Sequence, residues 1–517
     1  MAVEHKHITI SKRLVMINSA SAVVAKVVNF LVLMWVYQYL LKRLSAEEFA
    51  VLPVVTSLMV FAPLFFSFFS GGISRYTIDA YAKGDFVGVR QIVSSLLPML
   101  FLAAGIFVPA GVLFAQNIEH VLNIAPQMVG DARIMLILLV VSFAFQMLII
   151  PYRTAYEIRQ RYFELKMLQV VHDLLRAGLV VIFLMTFDAG VVWVVVATFI
   201  AEIALTSSIL FRSFRLVPEL RFEAKLFELS KAWELTSFGM WTTLGRLGSI
   251  MYTNAATLVL NLYGTAVDVT SYHIGSTFYR QIHGTMNLAT QPLQPAITAM
   301  NALNDHSRLA ATVLRGGRYA LWISMSVVVP LILYADVFID LYLGADYSTT
   351  SVIIVLFMIM FPFTQPTILL SNTAIATGHV RVFFLPAFLV QFAGLVLMVF
   401  ATMWYDLGAI GVTLALTIIT VVSQLLYFWG LCLRLIRASF ARFRNEVLVP
   451  GFLPSLAGAA VWGALRLFNR PDSWIQFALF IGAGLLSYGA VLLVFALNGR
   501  ERDQLKTTLA GLPRRKR

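Results

Sequence analysis

The sequence predicts an all-α polytopic membrane protein with about 14 transmembrane helices, arranged as two six-helix lobes related by an internal repeat and followed by two further helices. Composition is the first reason, because 59% of the 517 residues are hydrophobic and only 13% are charged. The second is that fourteen apolar stretches have the length of about 20 residues that a spanning helix needs. The third is the unequal distribution of Lys and Arg among the connections. The single cysteine, Cys432, excludes an intramolecular disulfide framework.

The apolar stretches follow one another along nearly the whole chain. The first is not expected to be a cleavable signal peptide, because its apolar run is too long, it contains Lys26, and no small-residue cleavage site follows. In chain order, the predicted spans are residues 14–41, 49–71, 92–115, 133–152, 168–187, 190–210, 235–263, 269–299, 318–343, 351–377, 382–403, 408–432, 448–468 and 474–497. The connections on the predicted outer side are short, so we expect no extracytoplasmic domain.

Lys and Arg mark one side of the membrane. If the N-terminus is cytoplasmic, 30 of the 39 Lys and Arg residues fall in inner connections and tails, five in outer connections and four within spans. Cytoplasmic segments are enriched in this way, and basic tails at both ends require an even number of spans. We therefore expect a multi-pass protein with both termini in the cytoplasm. The same distribution accounts for the net charge of +13, so no nucleic-acid partner is expected.

An internal repeat relates the two halves of the chain. A shift of 220 residues places charged and small residues of one half on similar residues of the other. Six spans separate the copies, so both copies have the same orientation in the membrane. The alternative is that acidic residues recur at loop ends by chance. The matched pairs are Lys26 with Arg246, Glu48 with Asp268, Asp85 with Asp305, and Ala115 with Ala335.

The repeat also defines the predicted domains. In the connection between the two halves, apolar residues from Phe222 to Leu229 alternate with charged ones, which predicts an amphipathic helix at the membrane interface. The predicted parts are an N-terminal lobe (1–210), a cytoplasmic amphipathic linker (211–234), a C-terminal lobe (235–432), two extra helices (433–497) and a basic cytoplasmic tail (498–517).

Three cations lie near the middle of otherwise apolar stretches: Lys26, Arg246 and Arg280. Each is about 11 or 12 residues from one end of its span, which is roughly 17 Å at 1.5 Å per residue and close to the centre of a ~30 Å hydrocarbon core. Cations in spans usually face a water-filled cavity or a partner, and they suit phosphate oxygens. We interpret them as the lining of a cavity for an anionic substrate. The alternative is that each is paired within the fold.

Polar residues recur next to these cations. From Arg280 they follow at steps of three or four as far as Gln294, which predicts one polar stripe on a helix. Amide groups suit a polar ligand, although the same residues would also suit hydrogen bonds between helices. The candidate substrate-binding residues are therefore Lys26, Arg246, Arg280, His283, Asn287, Gln291, Asn29 and Asn254.

A second charged group lies in spans 5 and 6. Asp173 and Arg176 are i, i+3 neighbours, and Glu202 lies at the same distance from the cytoplasmic end as Arg176. One Arg bridging two carboxylates would be a structural arrangement. The functional alternative is a coupling site, because a buried carboxylate that is exposed alternately to the two sides can carry a proton. Glu202 and Asp173 are the coupling candidates, with H+ or Na+ as the ion.

Two segments carry a resemblance to a known family: "LKRLSAEEFAVLPVVTSLMVF" after the first span and "FSGGISRYTIDAYAKGD" at the end of the second. Looser matches are "NLYGTAVDVTSYHIGSTFYRQ" and "NTAIATGHVR". The chain, over roughly residues 10 to 435, resembles the multidrug/oligosaccharidyl-lipid/polysaccharide flippase superfamily, most closely its bacterial polysaccharide flippase (Wzx-like) branch. The resemblance implies a V-shaped, alternating-access transporter. Such a transporter moves undecaprenyl-pyrophosphate-linked oligosaccharides across the bacterial cytoplasmic membrane for surface polysaccharide synthesis, with polymerase and glycosyltransferase partners.

Other functions fit the sequence less well. It contains no phosphate-binding loop and no metal or nucleophile motif, so we expect neither an enzyme nor a cofactor. A polysaccharide polymerase or ligase would be expected to have a large outer loop. A multidrug exporter of the same superfamily would be expected to have a carboxylate in the first span, and there is none between Lys12 and Leu41.

Overall fold

A computed structural model describes residues 28, 30–59, 62, 73–159, 161–187, 190–235, 254–290, 293–499 and 501–502. The chain forms two compact units, Met1–Thr270 and Ser271–Arg517. Helices account for most of the described residues, and no strand occurs among them. The all-α fold class is therefore confirmed. The predicted lobe boundaries at 211–234 and 433 stay a prediction.

In the described part of the first unit most residues are helical, and turns lie between the helices. Three of those turns are 3₁₀ turns, at Ile118–His120, Pro126–Met128 and Ala224–Leu226. The helices are α1 (Phe30–Leu41), α2 (Ala46–Leu58), α3 (Ile73–Ala82), α4 (Phe86–Gln116), α5 (Val129–Leu148), α6 (Ile150–Ile158), α7 (Tyr162–Thr186), α8 (Val192–Leu216) and α9 (residues 254–263).

The boundary between the units falls within the next helix, α10. The helices from there onward are α10 (Ala266–Thr290), α11 (Gln294–Ala302), α12 (His306–Tyr342), α13 (Ser348–Ala376), α14 (Val380–Met403), α15 (Gly408–Leu435), α16 (Phe440–Phe468) and α17 (Trp474–Ala496). A 3₁₀ turn interrupts α13 at Gln365–Thr367. Single π-helical turns occur within α15, α16 and α17. α12 is kinked at Tyr334, four residues after Pro330.

Ten helices of the described part are long and apolar enough to cross a membrane. They coincide with ten predicted spans, the four from 92–115 to 190–210 and the six from 318–343 to 474–497, so these predictions are confirmed and the chain is a multi-pass membrane protein. The other four predicted spans lie partly outside the described residues. One of them, 269–299, is represented by α10 and α11; α10 has 25 residues but is too polar to be counted among the ten.

Equivalent helices of the repeat begin in the same way. Ser45 and Glu48 form a capping box at the start of α2, where the Glu48 N–H donates to Ser45 Oγ (3.2 Å) and the Ser45 N–H donates to Glu48 Oε2 (2.9 Å). Thr265 and Asp268 form the same reciprocal pair before α10, with both N–H···O distances at 3.1 Å. The acidic residues matched by the 220-residue shift thus have matching local structures.

The linker does not form the amphipathic helix that its pattern of apolar and charged residues predicts. α8 continues to Leu216, residues 217–228 contain only one 3₁₀ turn, and the chain becomes helical again only at residues 229–235. The reason is that α4 binds this backbone: the Glu223 N–H donates to Ser94 Oγ (2.8 Å) and the Glu228 N–H donates to Ser95 Oγ (3.1 Å). Backbone donors that bond to α4 are not available for a helical ladder.

In the second unit, α16 and α17 pack against each other and α16 packs against α12 around the fully buried Trp462. The indole N–H of Trp462 donates to the Ile481 carbonyl (3.1 Å), and Tyr334 Oη donates to the Trp462 carbonyl (2.7 Å). Gly484 leaves the space that the ring fills, since a Cβ there would lie 2.1 Å from Trp462 Nε1. Close to this contact, two ion pairs, Arg466–Asp336 and Arg470–Asp340, join the end of α16 and its following turn to α12.

Candidate functional site

Arg280 lies at the centre of α10 and is half-buried. Its guanidinium donates to Ser276 Oγ (2.7 Å), to Thr277 Oγ1 (2.9 Å) and, more weakly, to the His273 carbonyl (3.4 Å). All three acceptors are uncharged oxygens of the same helix, and Arg280 forms no ion pair with Asp or Glu in the described part of the chain. The cation is therefore oriented by its own helix, and its charge is not neutralised by a described carboxylate.

The opposite face of α10 is fixed by packing on α13. Tyr279 stacks on Phe357 with 5.1 Å between ring centroids and contacts Phe361 edge-on at 5.4 Å. Gly275 allows close approach, because a Cβ there would lie 2.5 Å from Ile353 Cγ2. A face held this tightly sets the rotation of α10 about its axis. That rotation in turn fixes the direction in which Arg280 leaves the helix.

The other sequence-predicted binding residues are only partly within the described chain. His283 stacks on Tyr279 at 5.5 Å, and its Nδ1 atom is buried without a hydrogen-bond partner. Asn287, one turn further, is exposed, and Asn254 on α9 is half-buried. Gln294 belongs to α11, where its amide reaches the Asn372 carbonyl at 3.5 Å. Lys26, Asn29, Arg246 and Gln291 lie outside the described residues.

The coupling candidates form a cluster with a histidine between them. His172 Nδ1 lies 3.2 Å from Asp173 Oδ1, and His172 Nε2 lies 3.3 Å from Glu202 Oε2. The second contact is within ion-pair distance but lacks hydrogen-bond geometry, and Nε2 has no other described partner. Exposed fractions of the three side chains are only 12–18%. Two carboxylates and an imidazole thus share a largely buried site between α7 and α8.

Sequence reasoning assigned the bridging role in this cluster to the wrong side chain. Arg176 contacts Asp173 at 3.7 Å, but His172 is the residue that lies between Asp173 and Glu202. The i, i+3 spacing of Asp173 and Arg176 is a valid pairing signal. It gives no information on the rotation of α7 relative to α8, and that rotation directs His172 towards Glu202.

A polar contact that the sequence did not suggest joins the 117–128 connection to α9. The Asn261 side chain accepts a hydrogen bond from the Asn123 N–H (3.0 Å) and donates to the Asn123 carbonyl (2.9 Å). Nearby in the chain, Thr270 Oγ1 donates to the Ala46 carbonyl (2.9 Å). These three bonds link the start of the second repeat copy to the first copy, on the side predicted to be outside.

The chain is similar in sequence to polysaccharide biosynthesis proteins and in fold to a lipid II flippase and to MATE transporters. The family model for polysaccharide biosynthesis proteins matches residues 15–301. No curated protein sequence gives a significant match. Among solved structures, a lipid II flippase MurJ in an inward closed conformation is similar over 95% of this chain and 100% of its own, with a TM-score of 0.73 and 16% identity.

Transporters of the MATE family share the fold as well. An inward-facing multidrug resistance MATE transporter of the MOP superfamily is similar over 81% of this chain and 96% of its own, with a TM-score of 0.61 and 13% identity. The Vibrio cholerae MATE transporter VcmN in its bent form is similar over 84% of this chain and 98% of its own, with a TM-score of 0.55 and 13% identity. At these identities the likeness establishes the fold alone.

Proposed function

Because the chain belongs to the polysaccharide biosynthesis protein family and has the fold of MOP superfamily transporters, we propose that it is a flippase for a lipid-linked oligosaccharide. It would move this substrate, carried on undecaprenyl pyrophosphate, from the inner to the outer face of a bacterial cytoplasmic membrane for cell-surface polysaccharide biosynthesis. Both termini would be cytoplasmic. Transport would proceed by alternating access without ATP hydrolysis.

The observation that supports the proposal is the environment of Arg280, a cation with uncharged described partners. A guanidinium within a spanning helix is expensive unless it faces water or an anion, and Arg280 has only uncharged described partners. Because it is half-buried, the guanidinium keeps N–H donors that can reach a ligand. A pyrophosphate would accept charge-assisted, forked hydrogen bonds from these free N–H donors. Lys26 and Arg246 are proposed to contribute further positive charge, and His283, Asn287, Asn29, Asn254 and Gln291 to meet the glycan.

Charge removal at Arg280 tests the proposal. Arg280→Ala should abolish surface polysaccharide and cause lipid-linked oligosaccharide to accumulate on the inner face, whereas Arg280→Lys should retain partial activity because the charge remains. Thr285→Ala is the matched control, because Thr285 bonds only to the Gln281 carbonyl of its own helix (2.8 Å) among the described contacts. Protein abundance is measured in parallel. Wild-type polysaccharide in Arg280→Ala cells would remove Arg280 from the substrate site.

We further propose that Asp173 and Glu202, together with His172, form the coupling site. Each carboxylate lies next to an imidazole that can take or return a proton, and all three groups are shielded from solvent within spans. Movement of α7 against α8 would change which carboxylate faces the imidazole. The coupling ion would then be H+, with Na+ as the alternative that two carboxylate oxygens would also accommodate.

Vesicles with an imposed ion gradient test the coupling site. Glu202→Gln should reduce transport driven by a proton gradient without reducing substrate binding. Glu164→Gln is the control, since Glu164 is a carboxylate on the neighbouring helix α7 that is already paired with Arg161 and Arg212. A transport rate that does not change with Glu202→Gln under either a proton or a sodium gradient excludes this residue from coupling.

A further inference from the structure

A buried ion pair in the first half of α12 holds the short turn that follows α17. Arg318 and Glu501 are 4% and 6% exposed, and their charged groups are in direct contact. Glu501 Oε1 also accepts a hydrogen bond from Tyr319 Oη (2.8 Å) and lies 3.8 Å from Arg315 Nε. Two guanidinium groups and a phenol therefore converge on a single carboxylate oxygen.

Arg315, Arg318 and Tyr319 offer more hydrogen-bond donors than Glu501 accepts. The other oxygen of Glu501, Oε2, accepts from the Asn498 N–H (3.0 Å) and not from the arginines. Arg318 donates one of its N–H groups to the Glu446 carbonyl (3.2 Å), while its Nε is buried without a partner. A buried N–H left unpaired is unfavourable. A phosphate has more oxygens to accept such donors than a carboxylate has.

The carboxylate comes from a part of the chain that is separate from the helices it contacts. α17 ends at Ala496, Leu497 is extended, and Asn498 begins a new turn that contains Glu501. The sequence then continues as "RDQLKTTLAGLPRRKR", with six basic residues and one acidic residue. Basic segments next to a membrane are attracted to anionic headgroups. Such attraction would pull the segment away from α12.

We propose that Arg315, Arg318 and Tyr319 form a binding site for a lipid phosphate group, and that Glu501 occupies this site as a tethered competitor. The site lies where the predicted apolar span of α12 begins, so it would be at headgroup depth on the inner side. When a lipid phosphate binds, the arginines keep an anionic partner and Glu501 moves into water, where its charge is well solvated. The site is distinct from Arg280 and goes beyond the proposed transport function.

Binding of matched lipids to the purified full-length protein tests the proposal. Phosphatidylglycerol is compared with diacylglycerol, and undecaprenyl phosphate with undecaprenol, by native mass spectrometry of retained lipid. Glu501→Gln keeps the side-chain shape and the hydrogen bond from Tyr319 but removes the competing charge. It should retain at least tenfold more of a phosphate lipid than the wild type, with no change for the phosphate-free lipids. The stronger of the two phosphate arms identifies the source.

Two controls separate a ligand site from a purely structural ion pair. Asp336→Asn removes a carboxylate paired with an arginine, Arg466, nearer the opposite end of α12 and should not increase lipid retention. Adding Arg315→Ala to Glu501→Gln should cancel the gain, because Arg315 is half-exposed and supplies the second guanidinium. In the wild type, phosphate lipid should speed amide exchange at residues 498–502. If neither Glu501→Gln retention nor wild-type exchange responds to either phosphate lipid, the proposal is wrong.

Discussion

Asp85 and Asp305, 220 residues apart, cap α4 and α12 with the same set of hydrogen bonds. Asp85 Oδ1 accepts from the Gly88 N–H (2.8 Å) and Asp305 Oδ1 from the Arg308 N–H (3.0 Å), and the backbone angles of the two residues agree within a few degrees. The preceding residues, Gly84 (φ 74°) and Asn304 (φ 54°), are both left-handed. The internal repeat is thus preserved at the level of individual turns.

The cap at Asp85 predicts a measurable loss of stability. Asp85→Ala should lower the free energy of unfolding by about 1 kcal/mol, because the Gly88 N–H loses its acceptor at the helix N-terminus. Asp85→Ser restores an oxygen at the same place and should recover most of the loss. Thermal unfolding in detergent measures both variants. Equal melting temperatures for Asp85→Ala and wild type would show that the cap does not stabilise α4.

The second cap predicts a pH dependence. The hydrogen bond from the Arg308 N–H, helped by the Ser307 hydroxyl, holds the pKa of Asp305 below its usual value. A carboxyl whose pKa is lowered by folding stabilises the protein above its unfolded pKa and loses that contribution as the pH falls through the lowered pKa. The stability difference between wild type and Asp305→Asn should therefore shrink on acidification. Unfolding curves of both proteins from neutral to acidic pH measure it, and a constant difference would contradict the assignment.

Two glycines of α17 make a matched pair. Gly484→Ala should destabilise the protein by about 1–3 kcal/mol, because the added methyl group would meet the ring of the buried Trp462. Gly482→Ala, two residues earlier, meets no atom within 4 Å and should be neutral or stabilise by about 0.5–1 kcal/mol. Unfolding in detergent compares the two. If both variants behave alike, packing at Trp462 is looser than the structure indicates.

The contact between Asn123 and Asn261 predicts an asymmetric effect. Asn261→Ala removes both hydrogen bonds and should cost about 1–2 kcal/mol locally, whereas Asn123→Ala should have little effect because Asn123 bonds through its backbone. Hydrogen exchange at the Asn123 amide measures the difference, and it should be faster only in Asn261→Ala. Similar exchange in both variants would mean that the contact does not hold the 117–128 connection.

Features that depend on local composition could be predicted from the sequence. The ten confirmed spans follow from runs of apolar residues, and the repeat matched Asp85 with Asp305, which the structure shows to be helix caps. Contacts between distant segments could not be predicted in the same way. Arg318 and Glu501 are 183 positions apart, and no sequence pattern relates them.

The candidate site was predictable to a similar extent. Arg280 was identified because a cation interrupts a predicted apolar span; its residues are helical in α10, although α10 is too polar to be counted among the ten confirmed spans. That its neighbours Ser276 and Thr277 orient it depends on side-chain rotamers, which spacing does not determine. The linker prediction was wrong for a related reason: amphipathic spacing indicates a helix only when the backbone bonds to itself, and Ser94 and Ser95 bind that backbone instead.

Because the linker is attached to α4 on both sides of its turn, the two parts of the chain would stay associated if the backbone were cut there. Glu223 is bound by Ser94 and Arg90, and Glu228 by Ser95 and Gln91, so anchors lie on both sides of the exposed turn Ala224–Leu226. Leu235, further along, is buried in the apolar cluster around Leu96. A polypeptide divided at this turn would keep each new end on α4. The two halves of the protein therefore have a non-covalent connection at the same place as their covalent one.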